Sequence, residues 1–283
     1  MPQSNNSASK LSLGVEPRRT ARGTALNLLH HELTSHRRLY AVWLVWFVGF
    51  TLLARSTLGG PDGTRYMSYI RSLVFDHDLL LMNELQFFGE RVIVTSTGYA
   101  AQIANVGVIP FWLPFYLLGL LVNWLRGDLG SGLTSDYALW LDFGDWLYGL
   151  LACVVMYYWA RTRFSAHVAL AATFIVSCGS SFVYYVTALA PSYHTISALL
   201  AALYFYLWDS TRLRRTRLQW FSLGVLLGVL VSMGQYHAVL GVFLLFDLRS
   251  VAAPNLGQSW RSKKELLVIV ALLCLGACLP FVP

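Results

Sequence analysis

Apolar segments long enough to cross a lipid bilayer recur throughout this chain of 283 residues. A bilayer core of about 30 Å requires about 20 apolar residues in an α-helix. Hydrophobic residues make up 56% of the sequence and charged residues 12%, whereas soluble domains carry about 25% charged residues. A soluble fold would have to bury several unbroken apolar helices on all sides. The sequence therefore predicts an all-α protein, a polytopic transmembrane helical bundle.

The candidate spans alternate with polar breaks and basic clusters. The spans cover residues 39–54, 103–125, 139–160, 166–186, 195–208, 220–248 and 266–282. Lys and Arg accumulate in the cytoplasmic loops of membrane proteins, and the strongest cluster here lies at 212–217. The net charge of +7 therefore indicates topology, and nucleic acid is not expected as a partner.

The basic residues before the first span orient the chain in the membrane. Residues 1–38 are polar and arginine-bearing, which predicts a cytoplasmic N-terminal segment. Residues 39–283 then form the transmembrane domain of a multi-pass protein of the cell inner membrane. The loop at 55–102 is expected on the external side.

Residues 103–125 leave two topologies open because this apolar segment contains two prolines. In the first topology the segment is re-entrant or forms a short hairpin, and the arginines at 161–163 are cytoplasmic. In the second it crosses the membrane once, and these arginines are outside. Irregular backbone at membrane depth is tolerated where protein buries it. In both cases the loop at 55–102 and the polar breaks at 189–194 and 234–237 are expected to approach one outer face.

The external loop concentrates the acidic residues of the chain. It is the longest polar stretch between apolar segments, and it holds five of the 14 acidic residues, namely Asp62, Asp76, Asp78, Glu84 and Glu90. Between residues 62 and 75 apolar side chains recur every three or four positions, which predicts an amphipathic juxtamembrane helix lying on the membrane surface. Residues 91–97 are typical of a short strand or extended piece.

Three stretches of the chain together form a pattern that resembles a known family. The residues that define it in the loop are Asp62, Tyr66, Tyr69, Ser72, Leu73, Val74, Phe75, Asp76, Asp78, Leu79, Asn83 and Glu84. The other two are IPFWLPFYLLG at 109–119 and APSYH at 190–194, ahead of an apolar helix. This pattern resembles bacterial GT-C-type integral-membrane glycosyltransferases. They use polyprenyl-phosphate sugars and are relatives of protein mannosyltransferases and lipid A aminoarabinose transferases.

The likeness extends over residues 43–245, with two departures. GQYH stands at 234–237 where relatives often carry an arginine, and AQIAN stands at 101–105 where they often have a basic residue. Both departures remove positive charge that could hold a lipid phosphate. Because the sequence ends at Pro283, ahead of further spans and an external domain that such enzymes usually have, a truncated member is expected.

The resemblance implies transfer of a sugar, with inversion, from a polyprenyl-phosphate donor to a lipid, glycan or protein acceptor on the external face. Asp62 would be the catalytic base that deprotonates the acceptor hydroxyl. The alternative is a capping acid at the start of the helix that follows. Arg65, Arg71 and His194 would bind the donor phosphate. The alternatives are arginines that snorkel to lipid headgroups and a solvated histidine at a helix start.

Asp76, Asp78 and Glu84 form a second acidic group in the same loop. Three carboxylates could hold a divalent cation through oxygen ligands. The alternative is a solvated turn that ends the helix. No metal ligand is assigned and no cofactor is expected, although a divalent cation remains compatible with the residues.

Two other functions compete with the enzyme. The protein could be a non-catalytic multi-pass component, or an inactive paralogue, in envelope-glycan assembly or export. A secondary transporter would carry charged groups within its spans and a related second half, and neither is clear here. The expected partners are a polyprenyl-phosphate-linked sugar and membrane lipids, and the sequence does not indicate an oligomeric state.

Overall fold

The computed structural model describes residues 61–101, 104–212, 215–252 and 263–281, together with positions 41, 43–46, 48, 49, 52 and 58. The predictions for the N-terminal segment 1–38, and most of those for the first span at 39–54, lie outside the described residues. The chain divides into the units Met1–Val45 and Trp46–Pro283, and the fold below is that of the second unit.

Helices make up most of the described chain. They are α1 (Pro61–Arg71), α2 (Met82–Phe87), α3 (Ile109–Leu125), α4 (Ser135–Arg161), α5 (Ala166–Cys178), α6 (Phe182–Thr187), α7 (Tyr193–Thr211), α8 (Arg217–Met233), α9 (Gly241–Ala252) and α10 (Lys263–Cys278). The predicted all-α fold is confirmed. The extended piece expected at 91–97 contributes one isolated β-bridge, between Val94 and Ala100.

Among the residues that the structure describes, two helical segments have the length and apolar composition of membrane spans, Val106–Leu125 and Ser135–Arg161. Shorter apolar helices lie at Ala166–Cys178, Arg217–Met233, Gln235–Leu248 and Leu267–Cys278. The predicted span at 166–186 contains two helices, α5 and most of α6. The loop at 179–181 separates α5 from α6, and the Ser180 hydroxyl accepts a hydrogen bond from the backbone N–H of Phe182 at 3.2 Å.

The short-hairpin interpretation of 103–125 is wrong, because α3 runs unbroken from Ile109 to Leu125. Pro110 lies in the first turn, where backbone N–H groups have no helical partner in any case. Pro114 lies farther along α3 and removes one helical donor without ending the helix. The turn back occurs instead between α3 and α4, which pack antiparallel through Phe111 and Tyr148.

The connection between α3 and α4 lies beside the C-terminal end of α1. The Arg71 guanidinium donates to the carbonyl of Ser131 at 3.1 Å, and the Tyr116 hydroxyl donates to the carbonyl of Gly132 at 2.8 Å. These contacts put the α3–α4 connection next to α1, which belongs to the loop that is predicted to be external.

The bundle is organised around α4, α7 and α8. Helices α4 and α7 run in the same direction, since Asp145 contacts Thr195 and Trp159 contacts Asp209. Helix α8 runs antiparallel to α7 and packs closely on α10. A Cβ atom at Gly228 would lie 2.2 Å from the carbonyl oxygen of Ala277, so glycine is required for this approach.

The C-terminal ends of α4 and α7 carry the basic clusters. Arg163, just after α4, forms an ion pair with Asp209 near the end of α7. Arg215 forms a buried ion pair with Asp247 of α9 at 2.7 Å. Arg163 and Arg215 therefore lie at the same end of the bundle, as the positive-inside pattern predicts for the clusters to which they belong.

Candidate active site

Asp62 lies in the first turn of α1, where free backbone N–H groups and the helix dipole favour a negative charge. Its side chain is 56% exposed. The next residue, Gly63, lies against Pro191, because a Cβ atom here would stand 3.3 Å from Cδ of that proline. The start of α1 is thus held against the break that precedes α7. A helix-start role and a chemical role for Asp62 are compatible.

Three tyrosines from separate segments surround this point. The rings of Tyr66 and Tyr193 lie 6.3 Å apart, and the Tyr236 hydroxyl donates to the Tyr193 hydroxyl at 3.0 Å. Burial, with a further contribution from the negative charge of Asp62, raises the pKa of Tyr66 well above its usual range. The pKa of Tyr193 is raised by burial and by its bond to Tyr236. Both hydroxyls therefore remain protonated donors at neutral pH.

His194 stands between two aromatic rings in the polar break before the apolar part of α7. Its ring centroid is 4.0 Å from those of Tyr185 and Tyr193. Burial lowers the pKa of His194, and the charge of Asp62 opposes this shift in part. The imidazole is therefore predominantly neutral at pH 7 and carries one donor and one acceptor nitrogen.

The polar break after α8 contributes the last residues around Asp62. His237 contacts the carbonyl oxygen of Gly234 through Nδ1 at 2.9 Å, and it lies close enough to His194 for their charges to interact. The three polar segments that the charge pattern brings to one face, around Asp62, 189–194 and 234–237, are therefore in contact.

Tyr193 and Tyr236 are site-lining residues that the sequence reasoning missed. Each precedes a histidine in a polar break between apolar helices, so the dipeptide Tyr-His occurs at both breaks. This repeated pair is the signal that could have identified them.

Arg65 stands beside Asp62 but is bound to another acid. Its Nε atom donates to Glu90 Oε2 at 3.0 Å, while Nη1 lies 3.8 Å from Asp62 Oδ1. The Thr64 hydroxyl holds the second carboxylate oxygen of Glu90 at 2.7 Å. Arg65 therefore supplies positive charge at the edge of the site, with Glu90 as its closer partner.

Arg71 and the second acidic group lie at the other end of α1. Arg71 follows Asp62 by nine positions, which is about 13 Å along a helix axis. The Arg71 guanidinium pairs with Asp76 and with Glu84, whose Oε1 atom is 2.8 Å away. The structure thus brings Asp62, Arg65 and His194 together and separates them from Arg71.

The carboxylates of the second acidic group are engaged by other side chains of the protein. Asp76 accepts a hydrogen bond from the Asn83 amide at 2.7 Å, and Asp78 accepts one from the Ser72 hydroxyl at 2.8 Å. Within the part of the chain that the structure describes, no three His, Cys, Asp or Glu side chains are placed to hold a cation. The alternative interpretation, a turn that ends the helix, fits the contacts of Asp76, Asp78 and Glu84.

Arg71 and Asn83 shift the pKa values of the carboxyl groups in this turn. The Glu84 side chain is fully buried, and burial raises the pKa of its carboxyl group although Arg71 opposes the shift. The Asn83 amide and the Arg71 charge lower the pKa of Asp76, outweighing the effect of its partial burial. Arg71 is therefore an internal counter-charge for two carboxylates.

The group around Asp62 can perform acid–base chemistry at a surface. An exposed carboxylate can accept a proton from a hydroxyl, and two tyrosine hydroxyls and a neutral imidazole can donate hydrogen bonds to an anion. The aromatic faces offer apolar contact area for a ring-shaped substrate. This combination suits a substrate with a phosphate and several hydroxyl groups.

Comparison with known proteins identifies one family. A family model described as dolichyl-phosphate-mannose-protein mannosyltransferase matches residues 119–283, which is more than half of the chain. The matched part begins within α3 and contains the segments that bear Tyr193, His194 and Tyr236, whereas α1 with Asp62 precedes it. Searches of curated proteins and of solved structures found no match.

Proposed function

The chain belongs to the dolichyl-phosphate-mannose-protein mannosyltransferase family and is a GT-C-like membrane glycosyltransferase. We propose that it transfers a sugar from a polyprenyl-phosphate donor to an acceptor hydroxyl on the external face. The observation that carries this proposal is the meeting of Asp62 with the polar breaks at 189–194 and 234–237. A lipid-linked donor requires a polar site at the ends of apolar helices, and this is where the three segments meet.

In the proposed reaction Asp62 is the catalytic base. Its carboxylate takes the proton of the acceptor hydroxyl while the acceptor oxygen forms a bond to the anomeric carbon. The bond from that carbon to the phosphate oxygen breaks, and polyprenyl phosphate leaves with the bonding electron pair. A single displacement of this kind inverts the anomeric configuration. The exposure of Asp62 leaves room for an acceptor, which can be a lipid, a glycan or a protein.

Neutral donors and one arginine bind the donor phosphate in this proposal. His194 and the Tyr193 hydroxyl donate hydrogen bonds, the Tyr236 hydroxyl holds the Tyr193 oxygen, and Arg65 supplies charge from the edge of the site. Arg71 is not assigned to the donor, because Asp76 and Glu84 already engage its guanidinium. No step requires a metal ion or another cofactor.

The proposed topology follows from the same arrangement. The loop containing α1 and α2 faces the outside of the cell inner membrane, and the basic ends of α4 and α7 face the cytoplasm with residues 1–38. Residues 39–283 form one multi-pass domain in contact with membrane lipids. Labelling of single cysteines placed at exposed Arg91 and at exposed Arg217 tests this, since only the first should react from outside.

The activity itself is tested with the purified protein in lipid nanodiscs and radiolabelled polyprenyl-phosphate sugars. Release of polyprenyl phosphate should be measurable, and Asp62→Asn should lower its rate by about 10²–10⁴-fold, the usual worth of a general base. The matched control is Asp136→Asn, an exposed acid in the first turn of α4. Full activity of Asp62→Asn would show that the base is another group.

A second candidate function is a non-catalytic component of envelope-glycan assembly. It is favoured by the ion pairing of Arg65 with Glu90, because the cation beside Asp62 is already partly neutralised. In that case the wild-type protein would bind labelled donor in a filter-binding assay and would release no polyprenyl phosphate. The Asp62→Asn variant would bind the donor with the same affinity. Turnover by the wild type excludes this candidate.

A further inference from the structure

Asp145 is a buried carboxyl group that the proposed reaction does not use. It lies in the middle of α4, within a candidate membrane span, and its side chain has no solvent exposure. A carboxyl group is costly to bury in apolar surroundings unless hydrogen bonds compensate for the water it loses. Its contacts therefore indicate what holds it there.

Asp145 is held by groups at the start of α7. The Thr195 hydroxyl donates a hydrogen bond to Asp145 Oδ2 at 3.1 Å, and the backbone of Ser192 also interacts with this carboxyl group. Thr195 is itself fully buried. Helix α7 begins at Tyr193, so the acid faces the first turn of a 19-residue helix.

The segment that Asp145 holds carries the residues around Asp62. Ser192 caps α7, its hydroxyl accepting from the His194 backbone N–H at 3.3 Å. Pro191 lies against Gly63, next to Asp62, and Tyr193 contacts Tyr66. A shift of the helix start would therefore move His194 and Tyr193 relative to the exposed carboxylate.

We propose that Asp145 is a positioning residue: through Thr195 and the Ser192 backbone it fixes the start of α7, and thereby sets His194 and Tyr193 in register with Asp62. Asp145 does not touch the substrate. The effect on transfer rests on the proposed function, whereas the effect on the position of His194 does not.

The local effect is measured by the rate at which diethyl pyrocarbonate modifies each histidine, followed by mass spectrometry of the protein in nanodiscs. His194 is half-buried between the rings of Tyr185 and Tyr193, which slows its modification. Asp145→Asn and Thr195→Val should each speed modification of His194 several-fold. Exposed His77 and His167 serve as internal controls and should react as in the wild type.

Conservative variants separate positioning from general destabilisation. Thr195→Ser keeps the hydroxyl and should restore slow modification of His194, whereas Thr195→Val has nearly the same shape but no donor. Loss of global stability would speed the modification of every half-buried histidine, His237 included. Asp136→Asn, on the exposed first turn of α4, should change nothing.

Activity provides the second measurement. Thr195→Val should lower kcat by about tenfold or more with a smaller change in KM, because misplacement by a fraction of an ångström is costly for a reacting group. Thr195→Ser should recover most of the rate. Unchanged His194 modification in folded Thr195→Val would overturn the proposal, even if Asp145→Asn does not fold. Changed modification in a protein without transferase activity would support the positioning role and contradict only the proposed function.

Discussion

The hydroxyl of Tyr236 donates a hydrogen bond to the hydroxyl of Tyr193 at 3.0 Å. The two residues are 43 positions apart and belong to different breaks between apolar helices. Each is followed by a histidine, and His237 lies close enough to His194 to contribute to the lowering of the His194 pKa. The two breaks therefore meet through matching Tyr-His pairs, and the start of α1 lies against one of them.

The tyrosine pair should be measurably coupled. Tyr193→Phe and Tyr236→Phe each remove the same bond, so the double variant should be little less stable than either single variant. The coupling free energy is expected near the lower end of about 0.5–1.5 kcal/mol, because this hydrogen bond is exposed. Thermal unfolding of the four proteins measures it, with Tyr206→Phe as the control for an exposed tyrosine on α7. Fully additive effects would show that the bond contributes nothing.

Gly63→Ala should lower transfer activity more than stability. The added methyl group meets Pro191 Cδ at 3.3 Å, so the start of α1 must shift by a few tenths of an ångström. Alanine favours helix by about 0.5–1 kcal/mol over glycine, which offsets part of this contact. The expected result is a melting temperature near that of the wild type with a several-fold lower rate.

Gly49→Ala is the matched control for this substitution, because no atom of the described residues would lie within 4 Å of a Cβ atom there. Its transfer rate should equal that of the wild type. A wild-type rate for Gly63→Ala would show that Asp62 does not depend on the contact with Pro191.

Arg71→Ala should destabilise the loop that contains α2. The variant leaves the fully buried carboxylate of Glu84 without its counter-charge, which costs about 3 kcal/mol or more for a buried pair. The double variant Arg71→Met with Glu84→Leu should recover much of this loss, since it removes both charges. Thermal unfolding and limited proteolysis of residues 72–90 report the change.

Arg91→Ala provides the control, because Arg91 is an exposed arginine of the same loop. It should leave both measurements unchanged. Equal stability of Arg71→Ala and the wild type would mean that the ion pair does not hold the loop.

Acid stability should depend on Asp76. The Asn83 amide and the Arg71 charge lower the pKa of Asp76 in the folded protein. A carboxylate with a lowered folded pKa contributes stability above its unfolded pKa of about 4 and loses it as the pH falls through the folded pKa. Asn83→Ala should therefore reduce stability above about pH 4 and leave it nearly unchanged at the lowest pH.

Melting temperatures between about pH 2.5 and pH 6 measure this dependence, and the relevant quantity is the difference between Asn83→Ala and the wild type. Burial raises the pKa of Glu84, so the effect of Glu84 on the pH dependence of stability has the opposite sign to that of Asp76. Because this effect is present in both proteins, it cancels to first order when their melting temperatures are subtracted. A difference that grows as the pH falls would contradict the assignment.

Much of the helical architecture follows from local patterns. The three- and four-residue repeat between residues 62 and 75 predicts a helix, and α1 with the π-helical turn Ser72–Asp76 stands there. The long apolar runs at 103–125 and 139–160 correspond to α3 and α4. The structure differs from these predictions where helix continuity depends on single positions. Pro110 and Pro114 are tolerated in α3, whereas the small polar residues at 179–181 interrupt an otherwise apolar run.

The candidate site was only partly predictable for a different reason. Charge and polarity marked Asp62 and His194 as residues of polar breaks, and both meet in the fold. The same criteria predicted that Arg71 and Arg65 would both bind the donor phosphate, because a sequence does not show which acid will neutralise which arginine. That depends on the left-handed turn at His77 and on the return of Glu84 beneath the end of α1.

By itself the sequence determined the class of protein and the residues available for chemistry. Helix period, apolar length and the sign of charge are local properties, so an apolar helical bundle with an acidic first loop could be read directly. Only the tertiary structure decided the partners: Arg71 with Glu84, Tyr193 with Tyr236 and Thr195 with Asp145. The reason is physical, since each pair joins separate helices or breaks, and burial and hydrogen bonding between them exist only after the helices have packed.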